Sequence, residues 1–213
     1  MMTGNTMRYL TSQLLIWSLF GVCSFAQAQD RMPPLVAEDM TQAQRAAVAE
    51  LASVRGITPR GPWVPLLRSP EVMMRARAMG DYLRFNSALP PRLSEFVILM
   101  TAREWRQQYE WYAHHDIAIE AGLRPDIVEA IADGRRPDGL AEDEAILYDL
   151  FNELNRNKHV SDETYARALS HFGEPGVIDT VGIIGYYTFL AMIMNTARTS
   201  LPGGAEPALP ALP

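Results

Sequence analysis

Apolar residues recur at the spacing of α-helices along almost the whole of this 213-residue chain. They stand three or four positions apart, as on one face of a helix, and no run of alternating β-branched residues indicates a strand. The pattern predicts helices over 39–53, 70–87, 93–122, 126–132, 141–155, 161–171 and 176–199. The sequence therefore predicts an all-α, single-domain helical bundle of about seven or eight helices.

The two ends of the chain have a different composition from this helical part. Residues 1–28 are typical of a signal peptide, and residues 29–36, which include two adjacent prolines, predict a flexible segment. The helical domain is expected over 37–200. Residues 201–213 are rich in Pro and Gly, which predicts a disordered tail.

The signal peptide is predicted from three consecutive features. Arg8 gives a positive start, residues 14–25 form a short apolar run, and Ala26-Gln27-Ala28 is a small-x-small cleavage site. The run is too short to span a bilayer, so no stable membrane span is expected. Cleavage after Ala28 predicts export to the periplasm or the exterior, and it would leave 185 of the 213 residues. A lipoprotein anchor at Cys23 is the alternative.

Cys23 is the only cysteine, so the exported domain would contain none. An exported domain without disulfides depends on its apolar core for stability. The chain has 19 Lys and Arg against 25 Asp and Glu, a net charge of −6. Nucleic-acid binding requires concentrated basic residues, so we expect no nucleic acid among the partners, and a small molecule instead.

The densest group of chemically active side chains lies between residues 95 and 115. Glu110 and His114 are four residues apart, which places them on one face of a helix, with Gln107 one turn earlier. A carboxylate beside an imidazole orients the ring for proton transfer. A partly buried pair that only stabilises the helix is the competing interpretation. His114 is expected to face a pocket, since the adjacent His115 projects about 100° away on a helix.

Glu95 is the one acid in the apolar run 93–100. In the first turn of a helix an acid interacts favourably with the helix dipole. Packing of this apolar run could instead force Glu95 inward, where its carboxyl group must be paired or protonated. The sequence leaves both readings open.

A metal centre is not expected. Glu95, Glu110 and His114 could serve as ligands, but the chain has no His-Glu-x-x-His pattern and no further histidine at ligand spacing on these helices. Tyr186 belongs to an aromatic and methionine stripe that is typical of a core, although it could also line an apolar pocket.

The segment Glu95…Tyr109-Glu110-Trp111-x-x-His114-x-x-x-Ala118-x-x-x-Gly122 resembles the carboxymuconolactone decarboxylase family, which includes the alkylhydroperoxidase D-like proteins. The peroxidase branch has a Glu, then a Cys-x-x-Cys pair, then a His. Glu95 and His114 match that Glu and His, while Gln107 and Glu110 occupy the two cysteine positions. Thiol peroxidase chemistry requires both thiols, so this activity is not expected.

The decarboxylase branch has a Glu-x-x-x-His pair, which Glu110 and His114 match. The resemblance implies an all-α fold, a homo-oligomer and a cofactor-free decarboxylase, of the 4-carboxymuconolactone type, that acts on a small lactone or organic acid. His114, Glu110 and Glu95 are the expected catalytic residues, and Tyr109, Trp111 and Arg103 are expected to bind substrate. An exported, non-catalytic protein that binds a small ligand is the alternative function.

Overall fold

The computed structural model describes residue 1 and residues 30–210. The predicted signal peptide, its cleavage site and Cys23 lie outside the described residues. Within them the predicted all-α fold is confirmed, with eight α-helices and no strand. The helices are α1 (Gln42–Arg55), α2 (Trp63–Leu66), α3 (Pro70–Phe85), α4 (Pro91–Glu104), α5 (Gln108–Glu120), α6 (Pro125–Ala132), α7 (Glu142–Asn157) and α8 (Asp162–Ala197).

Local sequence explains where several helices begin. Thr41 accepts a hydrogen bond from the backbone N–H of Gln44, whose side chain accepts one from the backbone N–H of Thr41, so the two residues form a capping box for α1. Ser161 accepts a hydrogen bond from the backbone N–H of Thr164 at the start of α8. Both caps are residue types that favour a helix N-terminus. The helix α2 lies between the predicted helices 39–53 and 70–87.

The predicted helix 93–122 is two helices, α4 and α5, separated by a tight turn. Arg106 has a left-handed backbone with φ +48. Its N–H donates to the carbonyl of Arg103, and the N–H of Gln107 donates to the carbonyl of Ala102. These bonds close α4 as a Schellman motif, and Gln107 then caps α5 through its side chain. Apolar periodicity continues across the turn, which is why the sequence pattern does not reveal it.

The centre of the fold is α4. Every residue from Leu93 to Ala102 is buried, and the helix packs against α5, α6, α7 and α8. Because the segment 93–102 of α4 is covered on all sides, the one acid in this segment cannot reach solvent, and Glu95 is only 5% exposed. Of the two sequence-based readings, the structure shows the inward one.

The last helix, α8, contains a break at Gly173, whose φ of +67 is not helical. The two segments on either side agree with the two helices predicted over 161–171 and 176–199. By length and hydropathy α8 could cross a membrane, but half of its most apolar 18-residue window is buried inside the protein. Core helices meet the same criterion, so this is weak evidence for a membrane span.

The two ends of the described chain are packed on the domain. The N–H of Arg31 donates to the carbonyl of Ala197, 2.8 Å away. At the other end, Leu209 is buried in the core, and its N–H and carbonyl both bond to the side chain of Gln108 at 3.0 and 2.9 Å. Within the described part of the Pro- and Gly-rich tail, one leucine thus reaches the apolar core.

Candidate functional site

A cavity of about 830 Å³ is bounded by α3, α5, α6, α8 and the segments around them. Its apolar and aromatic wall includes Trp63, Tyr109, Trp111, Tyr112, Val128, Tyr186, Tyr187 and Leu190. Its polar residues include Arg55, Arg60, Arg84, His114, His115, Asp116 and Glu129. A mostly apolar wall with a few convergent polar groups is typical of a small-molecule site.

The central polar contact of this wall joins α4 to α5. His114 Nδ1 lies 2.6 Å from Glu95 Oε2, and the two residues are 7% and 5% exposed. Because a carboxylate only accepts, Nδ1 is the nitrogen that carries the proton. His114 lines the cavity, and within residues 30–210 no hydrogen bond engages Nε2. Nε2 is therefore the ring nitrogen available to a ligand.

Glu110 does not form the predicted hydrogen bond with His114. It is 3% exposed, and neither carboxyl oxygen has a partner among the described residues. Burial raises the pKa of Glu110 well above its usual value, which favours the neutral form of the carboxyl group. The i,i+4 spacing places both side chains on one helix face, but Glu95 from the neighbouring helix bonds Nδ1 instead.

Tyr186 and Tyr187 lie beside this pair. The ring of Tyr187 meets His114 edge-on, with ring centroids 5.1 Å apart. Burial raises the pKa of Tyr186 to about 12 and that of Tyr187 well above its usual value. Both phenols therefore remain protonated at neutral pH and can donate hydrogen bonds. A β-carbon at position 80 would overlap the hydroxyl of Tyr186. Gly80 has none, so the Tyr186 ring can occupy this position.

Three arginines give the cavity its positive charge. Arg84 Nη2 lies 3.9 Å from Glu95 Oε1, so Arg84 links the polar pair to the open space. Arg55 is held by Asp81 at 2.7 Å and lies over the Trp63 ring. Arg60 lines the cavity near Tyr109, and its charge lowers the pKa of that phenol against the larger effect of burial, which raises it. Guanidinium groups in this setting fit a carboxylate ligand.

The three predicted substrate-binding residues do not all line the same cavity. Tyr109 and Trp111 line the cavity beside His114. Arg103 does not: its Nε donates to the carbonyl of Ala132 at 2.6 Å, and its side chain lines a separate pocket. Arg103 lies on a face of α4 that points away from the His114 cavity. The prediction of one continuous helix over 93–122 did not show this, because the turn between α4 and α5 changes which residues share a face. Arg103 therefore cannot bind a ligand at His114.

Gln107, which occupies the first of the two cysteine positions of the peroxidase branch, has a structural role. Its carbonyl oxygen Oε1 accepts from the N–H of Tyr109 at 2.7 Å, and its amide donates to Asn195 at 2.8 Å. The side chain thus caps α5 and ties it to α8. Neither Gln107 nor Glu110 offers the thiol that peroxidase chemistry requires. Within residues 30–210, no three His, Cys, Asp or Glu side chains come together as a possible metal site.

Four further residues line the cavity without having been predicted from the sequence: Arg55, Arg60, Arg84 and Tyr187. They come from α1, the loop after it, α3 and α8, and only the tertiary fold brings them to α5. No motif links these four positions. Tyr187 could have been predicted from its position beside Tyr186, but only Tyr186 was considered as a pocket residue.

The fold is shared with solved structures of alkylhydroperoxidase D-like proteins. One is a peroxidase-related protein with an AhpD core from Ralstonia eutropha, with a TM-score of 0.66, 16% identity, and coverage of 82% of this chain and 93% of that chain. A second is a putative antioxidant defence protein AhpD from Agrobacterium tumefaciens, with a TM-score of 0.58, 16% identity, and coverage of 64% and 94%.

A third similar structure is a cysteine-to-alanine variant of the debrominase Bmp8 in complex with 2,3,4-tribromopyrrole, with a TM-score of 0.63 and 15% identity. The similarity covers 83% of this chain and 94% of that chain. At these identities the comparisons establish the fold, and at that level they confirm the resemblance drawn from the sequence. The chain matches no protein-family model and no curated protein sequence.

Proposed function

We propose that this protein is an acid–base decarboxylase for a small carboxylated lactone or a related organic acid. The observation that carries the proposal is the buried Glu95–His114 pair, which holds Nδ1 at 2.6 Å and leaves Nε2 for a ligand in an arginine-containing cavity. A fixed imidazole of this kind can deliver or remove one proton near neutral pH. The cysteine positions of the peroxidase branch hold Gln107 and Glu110, which disfavours thiol peroxidase activity.

The proposed reaction needs one proton and no change of redox state. When the carboxylate is conjugated through a double bond to the lactone carbonyl, the C–C bond breaks and CO₂ leaves. The bonding electron pair moves into a dienolate whose negative charge lies on the carbonyl oxygen. The Nε2–H of the protonated His114 ring then delivers its proton to carbon, and the ring regains a proton from solvent.

The neighbouring residues have separate roles in this proposal. Arg84 holds a carboxylate of the substrate, because its guanidinium lines the cavity next to the polar pair. The neutral hydroxyl of Tyr186 or Tyr187 donates to the developing oxyanion. Glu95 is a positioning residue that fixes the tautomer and the direction of His114. Tyr109 and Trp111 flank the planar body of the substrate.

The tribromopyrrole complex of the debrominase supports the class of ligand, because a protein of similar fold binds a small planar ring. The cavity of this chain has aromatic walls against which a planar ring can pack. Export through the predicted signal peptide would place the activity outside the cytoplasm. Homo-oligomer formation is also part of the proposal, from the family resemblance alone.

The test is a screen of carboxymuconolactone, other carboxylated lactones and keto acids for CO₂ release by the mature protein. His114→Gln should lower turnover by roughly two to four orders of magnitude. His171→Gln, which changes an exposed histidine away from the cavity, should have no effect. Thermal melting of each variant shows whether the fold is retained.

Two outcomes would contradict the proposal. Turnover at the wild-type rate by a folded His114→Gln protein would remove the role of the imidazole. Saturable ligand binding with no turnover of any compound would instead favour the alternative, a small-ligand-binding protein that uses the same cavity. Peroxide reduction coupled to a dithiol is measured in parallel and is expected to be absent.

A further inference from the structure

A second pocket, of about 290 Å³, lies at the junction of α4, α6 and α7 and shares no residue with the His114 cavity. Four arginines line it, Arg103, Arg106, Arg135 and Arg156. Among the described residues that line it, Glu104 is the only acid. In a chain whose net charge is −6, this concentration of positive charge is a local property and does not follow from the overall composition.

The guanidinium groups of this pocket are incompletely satisfied by the protein. Arg106 Nη1 is buried and has no hydrogen-bond partner in the described part of the chain. Among residues 30–210, no carboxylate lies within 4.0 Å of Arg106 or Arg156, whereas Arg135 pairs with Asp133 at 3.0 Å. A buried charged donor without a partner is costly, and a bound anion would remove that cost.

The backbone conformation of Arg106 is unfavourable for a residue with a side chain. Arg106 is the C′ residue of α4, with φ +48. Glycine is the usual residue at this position, and a residue with a β-carbon is destabilised there by roughly 1–2 kcal/mol. The corresponding turn at the end of α5 has Gly122 with φ +96. The side chain of Arg106 therefore does not serve the turn itself.

Arg103 is brought to the same pocket by a close approach to the backbone. Its Nε caps the end of α6 at the carbonyl of Ala132, 2.6 Å away, which leaves its terminal nitrogens for other partners. A β-carbon at Gly134 would lie 2.9 Å from Arg103 Nη2, so glycine makes the space for the guanidinium. Tyr148 and Phe151 complete the wall.

We infer that this pocket is a binding site for a small multivalent oxyanion, a diphosphate or a tricarboxylate. Planar guanidinium groups bond bidentately to phosphate and carboxylate oxygens, and they keep their charge at neutral pH. Four of them around 290 Å³ match a compact ligand with two or more negative charges and exceed what a monovalent anion needs. This inference does not depend on the proposed decarboxylase activity.

Isothermal titration of the full protein with pyrophosphate and with citrate, at constant ionic strength, tests the inference. We expect saturable 1:1 binding of at least one of the two, and the stronger of them identifies the phosphate or the carboxylate class. Arg106→Gly should weaken binding at least tenfold while leaving the melting temperature unchanged or higher, because glycine suits the left-handed turn. Arg156→Gln should also weaken binding.

Two control variants test whether binding depends on the arginines of this pocket and not on other arginines of the protein. Arg75→Gln removes an exposed arginine that pairs with Glu71 on α3 and should bind like wild type. Arg84→Met removes an arginine of the His114 cavity and should also bind like wild type. Absence of saturable binding for both ligands, binding that persists in Arg106→Gly, or binding lost in Arg84→Met would each overturn the inference.

Discussion

Glu95 and His114 meet across the interface between α4 and α5, with Oε2 and Nδ1 2.6 Å apart and both side chains buried. Each residue lies on a different helix, and the turn at Arg106 sets the angle at which the two helices pack. The strength of the contact depends on burial, because both groups are removed from solvent that would compete for the hydrogen bond.

Glu95→Gln should lower turnover by roughly one to three orders of magnitude, less than the loss of the imidazole itself. The amide of Gln preserves the shape of the Glu95 side chain. It can present an N–H as well as an oxygen to Nδ1, so it no longer fixes the tautomer of His114. We expect kcat to fall while KM changes little, measured by steady-state kinetics. Glu142→Gln, an exposed acid on α7, is the control. A rise in KM and a fall in kcat, together with a lower melting temperature, would indicate a purely structural role.

Arg84→Met should raise KM by about ten- to a hundredfold for substrates that carry a carboxylate, because one charged hydrogen-bonding partner is lost. Methionine retains much of the apolar length of the side chain. The same variant should bind uncharged ester analogues as wild type does, which is measured by inhibition. Equal weakening for acids and esters would mean that Arg84 shapes the cavity and does not recognise charge.

Glu110→Gln should stabilise the protein relative to wild type as the pH rises. Burial raises the pKa of Glu110 well above its usual 4.5, so the folded state holds a proton that the unfolded state releases above that pH. Wild-type stability therefore declines between the unfolded and folded pKa values, by up to about 1.4 kcal/mol per pH unit. The neutral amide removes this decline. Denaturant unfolding from pH 5 to 9 measures the difference.

Glu120→Gln is the matched control, because this glutamate lies exposed on the same helix. Its stability curve should follow that of wild type. If Glu110→Gln also follows wild type over the whole range, Glu110 is hydrated in solution and the neutral state is wrong.

Gly80→Ala should destabilise the protein by roughly 1–3 kcal/mol, although alanine normally favours a helix over glycine. The new β-carbon would overlap the hydroxyl of Tyr186, which is buried and cannot move freely. Gly185→Ala is the control, because no atom lies within 4 Å of its β-carbon, and it should stabilise α8 by about 0.5–1 kcal/mol. Opposite signs in thermal melting would support the packing; equal signs would contradict it.

Export should produce a mature protein that begins at Gln29, because Ala26-Gln27-Ala28 follows the apolar run. Intact-mass spectrometry of protein from the periplasm or the medium measures this directly. A mature form that retains Cys23, or that carries a lipid there, would contradict the cleavage site and would return a thiol to the protein.

The helices and their caps could be predicted from the sequence because they depend on short-range patterns, as Thr41 and Ser161 illustrate. The composition of the site could be predicted only in part. Glu95, Glu110 and His114 are all buried near one another, but spacing within one helix favoured Glu110 as the partner of His114. The actual partner, Glu95, comes from another helix, and such contacts depend on packing that apolar periodicity does not encode.

Leu209 and the side chain of Gln108 hold the chain end in place, and Pro202 and Ala208, which precede Leu209, line the His114 cavity. An affinity tag or fusion partner added after Pro213 would therefore begin only a few residues beyond a wall of that cavity. Such a fusion competes with ligands for space and can imitate an inactive enzyme. The exposed turn around Lys158, between α7 and α8, is the better position for an inserted label.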